Sequence, residues 1–359
     1  MTQDNTSGVQ FPPVNSGTGT PPVRVQQVYV TPKHGGFLRR FFMTLFVLMF
    51  LLSIVINAYL LLILAAGMES PMAKKTLQEG NEDQVVAVYS VSGIIDGSAV
   101  EKFNQFYRDV VDDASVKAIV LRVESPGGGV TASDEIYATI NKLKDKGNKT
   151  IVVSMGAVAA SGGYYISAPA DEIFAEPTTI TGSIGVIMEW FIVRDGLNKL
   201  GVEPVVMKSS HAQEWKDELS FLDKPTELQR QHLQMILNTM QARFEKVVSE
   251  GRGTKIKLAA ATMPVGTQPA DTAPFNGKIY LADEAKALGL IDTIGYEDAA
   301  IDQAGKLAKL TRPKVVQYER RVGFLDRLAG AKPNAGINID SKTIDDLQTP
   351  RTMMLWKGQ

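Results

Sequence analysis

The residues most suited to chemistry lie in the stretch Val158–Tyr165, where Ser161 follows two alanines and precedes Gly162 and Gly163. Small residues on both sides allow a sharp turn between a strand and a helix, with the serine hydroxyl presented to a substrate. A serine before glycines is also a common helix N-cap, and for this stretch alone capping is the more frequent role. Ser161 is therefore a candidate nucleophile whose role depends on the rest of the chain.

A serine nucleophile needs a base, and the chain contains three histidines. His34 precedes a long apolar segment, so a Ser/His/Asp triad would use His211 or His232. His232 lies among charged residues of a predicted helix, where a solvated position is expected, whereas His211 lies in a polar stretch. The alternative base is a lysine, which must be buried to lose its proton near neutral pH, since its ordinary pKa is about 10.4. The residues alone leave both classes of base open.

Composition excludes several classes of function. The chain of 359 residues has a formal net charge of −1 and no cysteine. A balanced charge predicts no nucleic-acid partner, and the lack of cysteine excludes disulfides, thiolate zinc sites and a cysteine nucleophile. No metal-ligand cluster or nucleotide-binding motif is visible, so neither a metal nor a cofactor is predicted.

Residues 41–66 are almost entirely apolar and long enough to cross about 30 Å of hydrocarbon. A cleavable signal peptide is the alternative, but the apolar run is longer than is usual there, which favours a retained lipid-membrane anchor over residues 39–67. Arg39 and Arg40 at its N-terminal end favour a cytoplasmic N-terminus. Residues 1–38, rich in Pro, Gly, Ser and Thr, are predicted to be a disordered cytoplasmic tail. The chain is thus expected to be a single-pass membrane protein whose larger part lies outside the cytoplasm.

Apolar runs and amphipathic periodicity alternate after the anchor. The predicted strands and helices are, in order, Val85–Val91, Ala99–Val111, Val116–Val123, Ser133–Lys144 and Thr150–Met155. This βαβαβ order, with strands apolar on both faces, predicts an α/β fold whose parallel sheet is covered by helices. Ligands bind such sheets at the carboxyl ends of the strands, and both the turn Gly127–Gly129 and Ser161 follow predicted strands.

The remaining chain is predicted in coarser terms. Pro204–Met207 has the composition of a strand, and Thr226 with Gln229 forms a capping box at the start of a long helix. The apolar residues Met353–Trp356 near the C-terminus are hypothesised to dock on their own domain or on a neighbour. The expected segments after the anchor are a linker over 68–84, a catalytic domain over 85–310 and a C-terminal extension over 311–359.

Residues 85–294 resemble the signal peptide peptidase A family of membrane-anchored serine peptidases, within the Clp protease/crotonase superfamily. The motifs that carry the resemblance are Arg122–Gly129, Ala159–Tyr165, Thr181–Met188 and Gly251–Gly253. The resemblance implies a Clp protease/crotonase-like domain of βαβ repeats preceded by one transmembrane helix. It also implies an endopeptidase that hydrolyses hydrophobic peptides such as cleaved signal peptides. The resemblance further implies a ring-like homo-oligomer in which neighbouring subunits complete a Ser/Lys dyad.

The same resemblance implies roles for individual residues. Ser161 is expected to be the nucleophile and Lys216, which precedes Asp217, the general base. Ser183 is expected to orient the lysine, and a backbone N–H at Gly128 to stabilise the oxyanion. Gly127 and Gly129 flank Gly128 in the turn expected to bind substrate.

Two departures from the family pattern affect these expectations. A small insertion around residues 212–214 lies before Lys216 and leaves Lys208 as a weaker rival for the base. Glu124 replaces an asparagine of the family motif and adds a carboxylate near the expected site. Three other functions are weighed against the Ser/Lys peptidase: a Ser/His hydrolase that uses His211, an acyl-CoA enzyme of the crotonase type, and a catalytically inactive membrane scaffold.

Overall fold

The computed structural model describes residues 36–66, 72–260, 272–320 and 351–355. The chain divides into two units, residues 1–68 and 69–359, which are described separately.

Helix α1, Gly36–Ala66, is the described part of the first unit. It contains the span Arg39–Leu61, which is the one helix in the described residues long and apolar enough to cross a membrane. Its 23 residues extend about 34 Å, and its side chains are exposed rather than packed in a core. The apolar segment predicted from the sequence therefore forms a continuous helix.

The second unit alternates strands and helices. Its N-terminal half contains β1 (Ala73–Gln78), β2 (Asn81–Ser92), α2 (Gly97–Val110), β3 (Val116–Ser125), β4 (Gly127–Gly129), α3 (Val130–Asp145), β5 (Thr150–Ala160), α4 (Gly162–Ser167), β6 (Glu172–Ala175), β7 (Ile180–Gly182) and β8 (Ile187–Glu189). Its C-terminal half contains α5 (Arg194–Lys199), α6 (Glu227–Arg252), β9 (Ala259–Ala260), β10 (Thr272–Ala273), β11 (Ile279–Leu281), α7 (Ala282–Ala287), β12 (Thr293–Ile294), α8 (Glu297–Leu307), β13 (Pro313–Glu319) and β14 (Arg351–Leu355).

The main sheet has the strand order β1-β13-β2-β3-β5-β6-β12, with β7 and β11 attached beside β5. Strands β2, β3, β5 and β6 pair in parallel, as the βαβ pattern predicts. Side chains of β2 alternate between two cores: Ala87 and Tyr89 pack with α2, whereas Val86 and Val88 pack with α8. Because helices cover both faces of the sheet, its strands are apolar nearly throughout. The carboxyl ends of the strands are the part of the sheet that remains open.

The main sheet also uses strands that lie outside the predicted bounds 85–310 of the catalytic domain. Residues 73–78, assigned to a linker, form β1, and residues 313–319, assigned to the C-terminal extension, form β13. Strand β13 lies between β1 and β2 in the sheet. Strand β1 is an edge strand with mostly exposed side chains, so it lacks the apolar run by which buried strands are recognised.

Of the two features predicted for the later part of the chain, the strand does not form and the capping box does. Pro204–Met207 forms no strand, and the side chains of Val205 and Met207 are exposed because no neighbouring strand pairs with them. The capping box is confirmed: the Gln229 N–H donates to Thr226 Oγ1 at 3.2 Å, and the Thr226 N–H donates to Gln229 Oε1 at 2.8 Å. Helix α6 then buries Phe244, Val247 and Val248 against the core.

Strand β14 belongs to a second, three-stranded sheet with the order β4-β14-β8. It runs antiparallel to both neighbours. The C-terminal segment for which docking was hypothesised thus pairs with its own domain, directly at the glycine turn that follows β3.

Candidate active site

Ser161 lies at the sharp junction between β5 and α4 and has a backbone φ of 53° and ψ of −116°. Such a positive φ is uncommon for a residue with a side chain and costs on the order of 1–3 kcal/mol. The surrounding hydrogen bonds hold the conformation: the Ser161 N–H donates to the Gly182 carbonyl at 2.8 Å, and the Ser161 carbonyl accepts from the Tyr165 N–H at 2.8 Å. The rigid strand end therefore imposes the strained turn that directs this side chain.

The helix-cap interpretation of Ser161 does not agree with its geometry. A capping serine has an extended backbone, and its hydroxyl accepts a hydrogen bond from the first turn of the helix. Ser161 has a positive φ, and its side chain makes no capping hydrogen bond. Its Oγ is buried and has no hydrogen-bond partner among the described residues. The hydroxyl is thus available for chemistry instead of stabilising the helix.

The glycine turn of β4 lies directly beside the Ser161 junction. A Cβ placed on Gly162 would lie 3.1 Å from both Gly127 Cα and Gly128 N. A Cβ placed on Gly128 would lie only 2.1 Å from the Ile95 carbonyl oxygen, so this position accepts glycine alone. The close approach of three backbone segments explains why the motif is rich in glycine.

Ile95 determines which way Gly128 faces. The Ile95 N–H donates to the Gly127 carbonyl at 2.9 Å, and the Gly129 N–H donates to the Ile95 carbonyl at 2.9 Å. Because successive residues of a strand present their N–H and C=O groups to opposite edges, those of Gly128 face away from Ile95. Ser125 supports this arrangement, since its Oγ accepts from the Gly127 N–H at 3.0 Å and donates to the Gly93 carbonyl at 2.6 Å.

Ser183 lies next to Ser161 because their strands are paired. Ala160 of β5 and Gly182 of β7 are partners in a parallel ladder, and each serine is the next residue along its strand. Ser183 has a φ of 50°, is almost buried, and donates its N–H to the Lys278 carbonyl at 2.8 Å. The structure therefore places Ser161, Ser183 and the Gly127–Gly129 turn in one locality.

Ser133 is a neighbour that the sequence motifs did not single out. Its Oγ is fully buried and, like that of Ser161, has no hydrogen-bond partner among the described residues. A Cβ on Gly162 would lie 2.6 Å from this oxygen. The sequence feature that could have identified Ser133 is its position in the first turn of α3, immediately after the glycine turn, where a polar side chain faces the preceding loop.

The two candidate lysines lie in a different environment. Lys216 is exposed within a series of turns over residues 213–219. Lys208 Nζ forms an ion pair with Asp217 at 2.8 Å, and the hydrogen bond from Lys208 holds the pKa of the Asp217 carboxyl below its usual range. Because Ser161 Oγ has no hydrogen-bond partner among the described residues, neither lysine is bonded to it within this chain.

The candidate histidines are likewise separate from the nucleophile. His211 is exposed in the short 3₁₀ turn Ser210–Ala212 and makes no hydrogen bond to Ser161. His232 Nδ1 lies 2.8 Å from Glu218 Oε2, and its ring packs edge-on against Trp215. These contacts join the polar segment to the start of α6, so neither His211 nor His232 pairs with Ser161 in the described part of the chain.

Glu124 is exposed on the same strand as Arg122, two residues away and therefore on the same face. A Cβ on Gly156 would lie 3.2 Å from the Glu124 carboxyl carbon and 3.0 Å from the Arg122 guanidinium. Arg122 itself pairs with Glu176 at 2.6 Å. The carboxylate of Glu124 thus lies at the rim of β3, close to a cluster of existing ion pairs.

Comparison with known proteins gives this geometry a family. Residues 143–311 match Peptidase family S49, and residues 98–179 match the Clp protease family. A candidate signal peptide peptidase SppA of Enterococcus faecium is 34% identical over 275 residues, which cover 73% of this chain and 75% of that protein. The chain belongs to the signal peptide peptidase A family. It is therefore a serine peptidase.

Further relatives match shorter stretches of the chain. A candidate protease of Methanocaldococcus jannaschii is 34% identical over 222 residues, which are 61% of this chain and 66% of that protein. Protease 4 of Salmonella typhi is 36% identical over 219 residues, which are 61% of this chain and only 33% of that protein. The resemblance predicted from the motifs is thus confirmed at the level of the family. The N-terminal apolar helix together with this membership indicates a membrane-anchored peptidase.

Proposed function

We propose that this chain is a membrane-anchored endopeptidase with a Ser161/Lys216 dyad that hydrolyses hydrophobic peptides, such as cleaved signal peptides. The observation that carries the proposal is the Ser161 hydroxyl: it is buried, has no hydrogen-bond partner in the part of the chain that the structure describes, and is held at a strained turn against the Gly127–Gly128 backbone. This is the arrangement expected of a nucleophile beside an oxyanion donor.

The reaction is an acyl transfer in two steps. Lys216 Nζ, in its neutral form, accepts the proton of Ser161 Oγ as that oxygen attacks the peptide carbonyl. The Gly128 N–H donates to the developing oxyanion, and the protonated lysine gives its proton to the departing amine. Water then attacks the acyl-enzyme by the same route and releases the acid. Ser183, adjacent to Ser161 in the paired strands, holds the lysine in position.

The lysine is supplied by a neighbouring subunit of a ring-like homo-oligomer. Within one chain Lys216 is exposed and Ser161 Oγ is unpartnered, so each half of the dyad lacks the other. The segment around the lysine also exposes large apolar side chains; Leu200, Val205 and Met207 are 79%, 82% and 93% exposed. Apolar surface of this kind favours burial against a second protein surface, and burial there would also promote loss of the lysine proton.

Exposed apolar residues near the glycine turn support the proposed substrate class, and arginines at the start of the apolar helix support the proposed topology. Ile94, next to the Ile95 that bridges to Gly128, and Ile187, the first residue of β8, are 60% and 38% exposed, which favours apolar peptide side chains beside the glycine turn. Arg39 and Arg40 lie at the N-terminal end of the apolar span, which supports a cytoplasmic N-terminus with the catalytic domain on the extracytoplasmic side.

The test uses the full chain in detergent micelles, a hydrophobic fluorogenic peptide and an acylating serine-directed probe. Lys216→Ala is expected to lower kcat/KM by about 100- to 10,000-fold, as removal of a general base does. Lys208→Ala and His211→Ala are the matched controls and are expected to stay within about tenfold of wild type. Probe labelling of Ser161 should disappear in Ser161→Ala and fall sharply in Lys216→Ala.

Two results would contradict the proposal. Full activity of Lys216→Ala together with an inactive His211→Ala would assign the base to histidine. A wild-type chain that neither cleaves peptides nor reacts with the probe at Ser161 would be a catalytically inactive scaffold.

A further inference from the structure

Gln229 lies in the first turn of α6 and is only 4% exposed. Its side-chain oxygen Oε1 accepts from the Thr226 N–H at 2.8 Å and so completes the capping box. Its amide nitrogen Nε2 donates to the Glu214 carbonyl and, at 3.3 Å, to Asp217 Oδ1. One buried amide therefore joins the start of the helix to two points in the turns that precede it.

The two acceptors of this amide lie on either side of Lys216. Glu214 is two residues before the lysine, and Asp217 is the residue directly after it. The Lys216 N–H also takes part in the turn, since it donates to the Ala212 carbonyl at 3.2 Å. The backbone is thus held on both sides of a lysine whose own side chain is exposed.

Helix capping alone does not explain the two donated hydrogen bonds. A capping box needs only an acceptor at the third helical position, and glutamate fills that role as readily as glutamine. A glutamate there would also interact favourably with the helix dipole. At position 229, however, a carboxylate would face the Glu214 carbonyl and the Asp217 carboxylate, whereas the amide donates to both. The presence of glutamine therefore indicates a second role beside the cap.

We propose that Gln229 is a positioning residue that holds the turn carrying Lys216 against α6 and so presents the base at a fixed place. Residues 212–214, the insertion relative to the family pattern, are held by the same contact and by Thr226, whose Oγ1 donates to Glu214 Oε1 at 3.0 Å. This inference rests on the proposed function of Lys216 and adds the residue that places it. A reacting group displaced by about 1 Å loses on the order of 100-fold in rate.

The experiment combines two substitutions that share one loss. Gln229→Glu keeps the acceptor for the Thr226 N–H and adds a charge, whereas Gln229→Met stays neutral and loses that acceptor; both remove the amide donors. In the full chain in detergent micelles, each should lower kcat for a hydrophobic peptide by about 10- to 100-fold, with KM within about threefold of wild type. Gln234→Glu adds the same charge at an exposed position of α6 and should behave as wild type.

The pH profile separates a displaced lysine from one that is merely more protonated. Activity that depends on a neutral lysine rises with pH to a plateau. An added carboxylate on its own would only favour the protonated lysine, so its effect would disappear on that plateau. The kcat deficits of both Gln229 variants are expected to persist there, and their recovery at high pH would overturn the inference.

Amide hydrogen exchange tests the contact without any catalysis. In a Ser161→Ala background, residues 213–219 should exchange about tenfold faster in both Gln229 variants, whereas exchange in β5 should not change. Unchanged exchange over residues 213–219 would overturn the inference. A kcat deficit in only one of the two variants would also overturn it, because the effect would then belong to the charge or to the cap. Failure of the proposed function is seen separately, as full activity of Lys216→Ala.

Discussion

The two halves of the proposed dyad lie in contrasting parts of one chain. Ser161 is buried at the end of a core strand, and its conformation is imposed by hydrogen bonds to β7 and α4. Lys216 is exposed in the turns over residues 213–219, whose described contacts are with Lys208, with adjacent residues and with the start of α6. The residues around Ser161, the nucleophile region, therefore form a complete structure within one subunit. The segment around Lys216, the lysine region, leaves apolar side chains exposed. The proposed assembly predicts that a catalytic site divided in this way is formed only when subunits associate.

Mixing two inactive variants is the strongest test of this contrast. Ser161→Ala keeps a competent lysine region, and Lys216→Ala keeps a competent nucleophile region. If neighbouring subunits complete the dyad, dissociating the two proteins together and reassembling them should restore activity at roughly one quarter of the interfaces. The measurement is hydrolysis of a hydrophobic peptide, and wild type taken through the same procedure is the control for reassembly. A mixture that stays inactive while that control recovers would place both residues of the dyad in one subunit.

The ion pairs of the two regions should differ in their effect on stability. In the nucleophile region, the fully buried Arg252 side chain binds Asp292 through two hydrogen bonds of 2.9 Å. In the lysine region, Lys208 and Asp217 are each about one quarter exposed. Arg252→Met is expected to destabilise by about 3 kcal/mol, which is roughly 6 to 12 °C in the thermal midpoint. Lys208→Met should cost about 1 kcal/mol or less.

The pH dependence of the same variants gives a second measurement. Burial opposes ionisation of Asp292, but the hydrogen bonds from Arg252 and Lys255 outweigh it, so the pKa of Asp292 lies below its usual range. A lowered native pKa stabilises the fold fully above the unfolded value near 4, and this contribution is lost as pH falls further through the native pKa. The difference in thermal midpoint between wild type and Arg252→Met should therefore shrink below about pH 4. A difference that does not change with pH would assign the effect to lost packing.

The nucleophile region was also the more predictable from the sequence. The strand that begins at Thr150 and the glycine turn are local patterns, and both form where they were expected, although the strand runs on to Ala160. Strands β1 and β13 were missed because their place in the sheet depends on pairing across most of the chain, and β1 shows no apolar run. The proposed partner of Lys216 is not encoded in any local pattern, since in the proposed assembly it lies on a neighbouring subunit.

Two buried serines beside the glycine turn are expected to have effects on stability of opposite sign. Ser125 Oγ accepts from the Gly127 N–H and donates to the Gly93 carbonyl, whereas Ser133 Oγ has no partner among the described residues. Ser125→Ala leaves a buried N–H unsatisfied and should lower the free energy of unfolding by about 1–3 kcal/mol. Ser133→Ala removes an unsatisfied buried hydroxyl and should raise it by about 1 kcal/mol. Thermal midpoints of the full chain in detergent distinguish the two. Destabilisation by Ser133→Ala comparable to that by Ser125→Ala would mean that the Ser133 hydroxyl is hydrogen-bonded in the assembled enzyme, and that the nucleophile region, too, is completed by assembly.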